Sequence, residues 1–247
     1  MWDDHRQLNA ASLTIAIIAT VSLAWAALAW VVRQPMFAVR DVVVTTPLKH
    51  AKGAHIESVV REELAGTFFT LDLDRASRAL AQVPWVRAVA LRRQWPRRLE
   101  IDVVEHEPLA RWNDSGLVDT RGEVFVADYD GELPQFDGPD GQSPLVAARY
   151  REWSTMLAPL GVSIRALTLS PRGGWEIATI RAGGPSLTIE VGRDEPTARL
   201  ARFVAAHDRT IGAIARAGRR IEQVDLRYRN GFAVRVPDFR EKTTKKS

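Results

Sequence analysis

The 247-residue chain contains no cysteine. That excludes disulfides, thiol catalysis and cysteine-ligated metals. It also lacks the motifs that organise common chemistry: no GxSxG elbow, no P-loop, no HExxH and no GxGxxG occurs anywhere. Histidine is sparse, with His5, His50, His55, His106 and His207 scattered along the chain. His50 and His55 straddle a loop-to-helix junction at a poor metal spacing, and surface histidines are the plainer reading. Glu105-His106-Glu107 would put two carboxylates on one strand face, as some acid–base sites do. Its plainer reading is the polar end of a strand running into Pro108. Asp119, Asp128, Asp130 and Asp137 fall in turns, where aspartate is common. No catalytic set, cofactor, metal or small-molecule substrate is therefore expected.

What is present is an ordinary folded composition, 46% hydrophobic and 26% charged, with a net charge of +4. The length allows one or two domains with cores of their own. No charged residue occurs from Leu8 to Val32, and Leu13 to Val32 is almost wholly apolar. As a helix that run covers about 30 Å, the thickness of a bilayer core. It is longer than the apolar region of a signal peptide and ends in Trp30 and Arg33, which suit a retained anchor. The flanks carry Arg6 against Asp3 and Asp4 on one side, and Arg33, Arg40, Lys49 and Lys52 on the other. Counted alone, these charges would leave the bulk of the chain in the cytoplasm.

Beyond Gln34-Pro35 the pattern predicts a valine-rich strand from Phe37 to Thr45. A helix follows with Ile56, Val59, Val60 and Leu64 on one face, ended by Gly66. Asp72 or Asp74 caps a second helix bearing Leu73, Ala76, Leu80 and Val83. Two strands, Trp85–Arg93 and Leu99–Glu105, turn around Trp95-Pro96, with Leu99, Ile101 and Val103 facing one way. The order β-α-α-β-β makes a small α+β unit. After Glu107-Pro108 come short strands (LARW, GLVD, EVFV) and a long loop, DGELPQFDGPDGQSP. Ser143-Pro144 opens a helix with Leu145, Val146, Tyr150, Trp153 and Leu157 inward. Strands VSIRALTLS, GWEIATIR and SLTIEV follow, then a helix opened by Asp194 and Pro196 with Leu200, Phe203, Val204 and His207 inward. Ile221–Tyr228 and Phe232–Val236 read as a hairpin around Asn230-Gly231. The second unit is thus a mostly antiparallel sheet with two helices. Arg87, Arg92, Arg93, Arg97 and Arg98, interleaved with Trp85 and Trp95, resemble a single-strand nucleic-acid surface. The acidic residues that follow and the upstream anchor favour a solvated hairpin tip near anionic headgroups, so no nucleic-acid partner is expected.

In combination, FAVRDVVV, GTFFTLDLDRASRALAQVPWVRAVALRRQWPRRLEIDVVEHEPLARW, GLVDTRGEVF, LPQFDGPDG, LSPRGGWEI, VGRDEPTARLARFV and VDLRYRNGFAVR resemble the FtsQ/DivIB family of bacterial cell-division proteins over nearly the whole chain. The resemblance implies a non-enzymatic scaffold of the divisome at the septum. It implies a cytoplasmic N-terminus (1–12), a transmembrane helix (13–32), a POTRA domain (36–106), a β domain (107–238) and a disordered tail (239–247). The anchor would be a single type II span of the inner membrane with the bulk in the periplasm, against the naive charge count. The implied partners are the periplasmic segments of FtsB and FtsL, with other division proteins. Carried over by matching positions, the partner surface is Arg227, Tyr228, Asn230, Gly231, Phe232, Ala233, Val234, Arg235 and Val236, with Arg172 nearby. Gly173-Gly174 departs from the family's commoner pattern after that arginine. A membrane-anchored peptidoglycan enzyme would need a catalytic pair, and a POTRA-type secretion component a downstream barrel; neither has a place in this sequence.

Overall fold

A computed structural model describes residues 5–51, 53–63, 67–181 and 186–237. Gly66, the expected end of the first folded helix, and the 239–247 tail lie outside these residues. The chain divides into two compact units, Met1–Glu105 and His106–Ser247.

The first unit begins with α1, His5–Val32, exposed along its apolar length. Its Asn9–Val32 stretch is long and apolar enough to cross a bilayer. A 3-10 turn, Pro35–Phe37, leads to β1, Asp41–Val44. This strand is shorter than Phe37–Thr45 because Phe37 closes the turn and Ala38 forms an isolated bridge with Thr67. Then come α2 (Gly53–Glu63), α3 (Leu73–Leu80), β2 (Val86–Gln94) and β3 (Arg98–Glu105). The sheet order is β1-β3-β2, with β1 parallel and β2 antiparallel to β3. Leu99, Ile101 and Val103 are buried, as alternation requires, together with Ile56 and Val60 of α2 and Ala76 and Leu80 of α3. Asp72, not Asp74, caps α3 by accepting from Arg75 N at 3.0 Å. Glu105 ends β3 as a clamp. Its carboxylate accepts backbone N–H bonds from Lys49 (2.8 Å), His50 (3.2 Å) and Ala51 (2.7 Å).

The second unit comprises β4 (Pro108–Trp112), β5 (Gly116–Asp119), β6 (Val124–Phe125), β7 (Gln135–Asp137), α4 (Ser143–Leu157), β8 (Ser163–Leu169), β9 (Trp175–Ile180), β10 (Leu187–Gly192), α5 (Pro196–Ala206), α6 (Ile211–Arg216), β11 (Gln223–Asp225) and β12 (Ala233–Arg235). One nine-stranded sheet runs β12-β11-β10-β9-β8-β7-β4-β5-β6. Most pairs are antiparallel; β7 is parallel to both β4 and β8, and β10 is parallel to β11. Phe136 of β7 and Trp153 of α4 are fully buried, with Leu157, Leu167, Ile177, Ile189 and Phe203 around them. Trp153 Nε1 donates to Thr197 Oγ1 at 3.0 Å, which ties α4 to α5 and satisfies the buried indole.

Several local expectations are corrected here. β7 lies inside the stretch read as loop: Gly, Pro and Asp flank it, and only sheet pairing makes it a strand. The inward residues of α4 include Ala147, while Leu145 is 41% exposed. Ser143 is the first helical residue rather than the cap, and its hydroxyl donates to Gly122 O at 2.8 Å. Glu195, at φ 46°, precedes α5 in place of Asp194 and makes no side-chain cap. A third short helix, α6, joins the two expected.

Replacing Glu105 with Ala leaves three N–H groups without their acceptor. We expect a loss of about 1–3 kcal/mol in unfolding free energy and faster amide exchange at residues 49–51. Exchange there equal to that of the parent protein would show that the clamp does not hold this segment.

Candidate functional site

β12 is the last strand of the sheet. It pairs antiparallel with β11 through Gln223–Arg235, Val224–Val234 and Asp225–Ala233. Its other edge meets no strand among the described residues. Phe232, Val234 and Val236 pack onto the core, whereas Ala233 and Arg235 point outward and are exposed. The strand is therefore anchored by one face and open along one edge, the arrangement that can accept an added strand.

The connection from β11 differs from the expected two-residue turn. Residues 226–232 form a longer loop, and Gly231 does not adopt the positive φ that a type I′ turn demands. The loop is fixed by Arg227 instead. Its guanidinium grips Asp225 with two bonds, Nε–Oδ1 at 2.9 Å and Nη2–Oδ2 at 2.7 Å, and reaches Glu190 Oε2 at 2.9 Å. The Arg227 backbone N–H also donates to Asp225 Oδ1 at 2.9 Å. Gln223 Nε2 donates to Glu190 Oε1 from the other side. The Arg227 guanidinium holds the Asp225 carboxyl below the usual carboxylate range, and Asp225 with Glu190 raises the guanidinium's own pKa. Gly192 makes room for this pairing: at φ +81°, a Cβ there would lie 2.9 Å from Arg227 Cγ and 2.8 Å from Arg199 Nη1.

Between this loop and α5 runs a groove of about 460 Å³, floored by Phe203, Leu226 and Phe232 and rimmed by Arg202, Tyr228 and Arg229. Phe203 and Phe232 meet edge-on at 5.6 Å. Tyr228 is 59% exposed at its mouth. Arg172 lies in the tight β8–β9 turn, where Gly173 is at φ +80° and Gly174 N donates to Ser170 Oγ at 2.9 Å. Because Trp175 pairs with Gly192, that turn lies at the same end of the sheet as Arg227. Tyr228, Asn230, Gly231 and Phe232 thus line one groove beside β12, and Arg172 stands at that sheet end without lining it. Sequence reading missed Arg199 and Arg202 of α5 and the Glu190–Asp225 pair. The signal was faint: arginines within an amphipathic helix look like its solvated rim, whereas Arg199, one turn before Phe203, turns inward and donates to Val191 O at 3.1 Å.

The acidic and histidine candidates resolve otherwise. Glu105 and His106 diverge, the first into the clamp described above. His106 is no surface histidine: its Nδ1 lies 2.9 Å from Asp119 Oδ2, and its ring stacks on Phe125 at 4.2 Å. Asp119 Oδ1 accepts from Arg121 N and Glu123 N, both at 2.9 Å. Burial raises the Asp119 pKa, but these bonds from His106 and the two amides outweigh it, leaving the carboxyl below its usual range. Ligand atoms of His106, Asp119 and Glu123 lie within 4.8 Å of one another. Asp119 orders the β5–β6 turn through the Arg121 and Glu123 amides, with His106 on its other oxygen. His207 is also buried, against Phe203.

Comparison with known proteins bears on both units. Residues 37–106 match the POTRA domain of FtsQ type, and residues 110–227 match the C-terminal region of cell division protein FtsQ/DivIB. The chain is 37% identical to cell division protein FtsQ of Burkholderia pseudomallei over 243 residues, covering 97% of this chain and 96% of that protein. It is 34% identical to the Bordetella pertussis protein of the same name, with 95% and 92% covered, and 30% identical to that of Neisseria gonorrhoeae, with 96% of each covered.

The Asp225–Arg227 pair has a pH signature. A carboxyl whose folded pKa is depressed contributes stability above its unfolded value, about 3.9. That contribution is lost as pH falls through the folded pKa. Carbon-detected NMR titration should give Asp225 a midpoint below the ordinary aspartate value, and Arg227→Gln should return it toward that value. A midpoint unchanged by Arg227→Gln would contradict the pairing.

Proposed function

The chain belongs to the FtsQ/DivIB family of bacterial cell-division proteins, and from that premise we propose that it is a non-enzymatic scaffold of the divisome which receives FtsB and FtsL on β12. The family is one of division proteins and not a class of enzyme. In this reading α1 is a single inner-membrane anchor. The POTRA unit and the β domain stand in the periplasm at the septum, and the protein links early to late division proteins. The observation that carries it is the open edge of β12 beside a preformed groove.

The physics of that edge supports strand addition. Incoming backbone bonds to the free N–H and C=O groups supply affinity, and alternate side chains supply specificity. Aromatic Tyr228 and Phe232 offer an apolar anchor, the residue types that dominate interface hot spots. Arg202 and Arg229 rim the groove with them, and Arg235 is exposed on β12, so an acidic strand fits better than a basic one. Arg227, itself exposed, shapes the loop that carries Tyr228, Asn230 and Gly231 through its pairing with Asp225 and Glu190. The periplasmic assignment opposes the flanking charges, but a large domain translocates largely regardless of a few such residues. A topology reporter fused after Val236 that is active in the cytoplasm would overturn it.

Two substitutions test the docking surface. Tyr228→Glu places a charge at an exposed position of the groove and should weaken capture of the FtsB and FtsL periplasmic segments by about 2 kcal/mol, roughly thirtyfold in Kd. Arg227→Glu should weaken it too, with some loss of stability because it faces Asp225 and Glu190. Full-length variants that keep the parent melting profile and still capture both segments with parent affinity would refute the assignment of β12 and its loop.

A further inference from the structure

Trp95 is 79% exposed and Met36 64% exposed, both in the first unit. Large apolar side chains this exposed need a reason when they lie together beside cations. The two are brought together by the turn between β2 and β3. Arg40 N donates to Arg97 O at 3.1 Å, and Arg97 Nη1 donates to Met36 O at 3.5 Å. The other end of this segment is tied to α1. Thr67 Oγ1 donates to the carbonyl of Val32, the last residue of α1, at 2.7 Å, and Phe68 N donates to Phe37 O at 2.7 Å. Met36 lies four residues past Val32, at most about 14 Å of extended chain. The hairpin tip is therefore held close to the point where the apolar helix ends.

The tip is concave as well as exposed. A hollow of about 290 Å³ is lined by Arg40, Asp41, Gln94, Trp95, Arg97 and Arg98, with Pro96. Three guanidiniums face one carboxylate there. Arg33, also exposed, adds a fourth cation next to the helix end. An indole with a polar edge, flanked by arginines and set beside the end of an apolar helix, has the chemistry of the bilayer interface. Arginine pairs with phosphate oxygens in a bidentate fork, and anionic leaflets attract such clusters.

We propose that the β2–β3 hairpin tip docks on the anionic phospholipid surface of the membrane that α1 enters, with Trp95 in the interfacial layer and Arg40, Arg97 and Arg98 at the phosphates. This rests on the reading of α1 as an anchor. Docking adds a second attachment to the tether and fixes which side of the first unit faces lipid.

The cysteine-free sequence allows single-site labelling of the full chain. An NBD fluorophore is placed at Ala19→Cys in α1, at Gln94→Cys beside the tip, or at Lys49→Cys beyond the opposite end of β3. The protein is reconstituted in phosphatidylcholine vesicles with or without phosphatidylglycerol, and nitroxide lipids quench any label that reaches the bilayer. Deep nitroxides should quench Ala19→Cys in both lipids. Headgroup nitroxides should quench Gln94→Cys, more strongly with phosphatidylglycerol, and should spare Lys49→Cys. Arg98→Glu should lower the docked-to-free ratio at the tip about fivefold, and Trp95→Ser should lower it independently. Unchanged Lys49→Cys emission reports that the unit stays folded. If Ala19→Cys is quenched but Gln94→Cys behaves like Lys49→Cys, docking is wrong and the anchor reading stands. Tip quenching that neither variant changes reflects tethering alone and also overturns the proposal. If Ala19→Cys escapes quenching, the anchor reading falls and docking falls with it.

Discussion

An open sheet satisfies its backbone on both sides of every strand except the two at its ends, and the second unit depends on how those ends are managed. At one end β6 is only Val124–Phe125, and the His106–Asp119 pair with the stacked Phe125 ring closes the turn behind it. At the other end β12 is only Ala233–Arg235. Both edges are too short to template aggregation readily. They differ in what lies beside them. β12 has an apolar groove, an exposed tyrosine and inward anchors at Phe232, Val234 and Val236, so its open edge is presented rather than hidden.

Regular elements were legible where one physical signal dominated. Alternation in LEIDVVE gave the buried face of β3, and the spacing of Ala76 and Leu80 gave that of α3. The alternating faces of β12 were readable for the same reason. What could not be read were features that exist only through tertiary pairing. β7 is three residues long between turn formers, and its strand identity comes from Arg111 and Ala166 lying opposite Gln135. Asn230-Gly231 carried a strong local hairpin signal; the two strands do pair antiparallel, but through a longer loop than the two-residue turn it predicts. The loop starts earlier, at Leu226, because Leu226 is buried and Arg227 is drawn onto Asp225 and Glu190. The candidate surface was half visible in the same sense. Its edge residues follow from order in the chain, whereas the contribution of α5 requires knowing that Phe203 meets Phe232.

The first unit repeats the theme of a junction decided by polar bonds. The carbonyls at the end of a helix need donors. Thr67 supplies one to Val32, from a buried hydroxyl that also contacts Thr70 Oγ1 at 3.1 Å. A hydrogen bond with a buried partner has little freedom to swing, so the apolar helix enters the unit as a defined element and not as a loose leash. Phe37, Phe68 and Phe69 stack edge-on around the same junction. The arginines and Trp95 of the β2–β3 tip gain their positional meaning from this junction together with the Arg40–Arg97 and Arg97–Met36 bonds, since the same residues on a flexible stalk would have no fixed relation to a membrane.

On the proposed docking at β12, affinity should depend also on residues that shape the loop behind the open edge. A loop that must be ordered on binding subtracts that ordering from the affinity, and a loop already held does not. Residues 226–232 are held by a bidentate ion pair, a second carboxylate and a glycine whose missing Cβ admits the arginine stem. A surface ion pair contributes at most about 1 kcal/mol to folding. The value of this one lies in keeping Tyr228 and the open edge of β12 in a single arrangement. Within the proposed interface, Arg227 would hold the frame and Tyr228 would form part of the face.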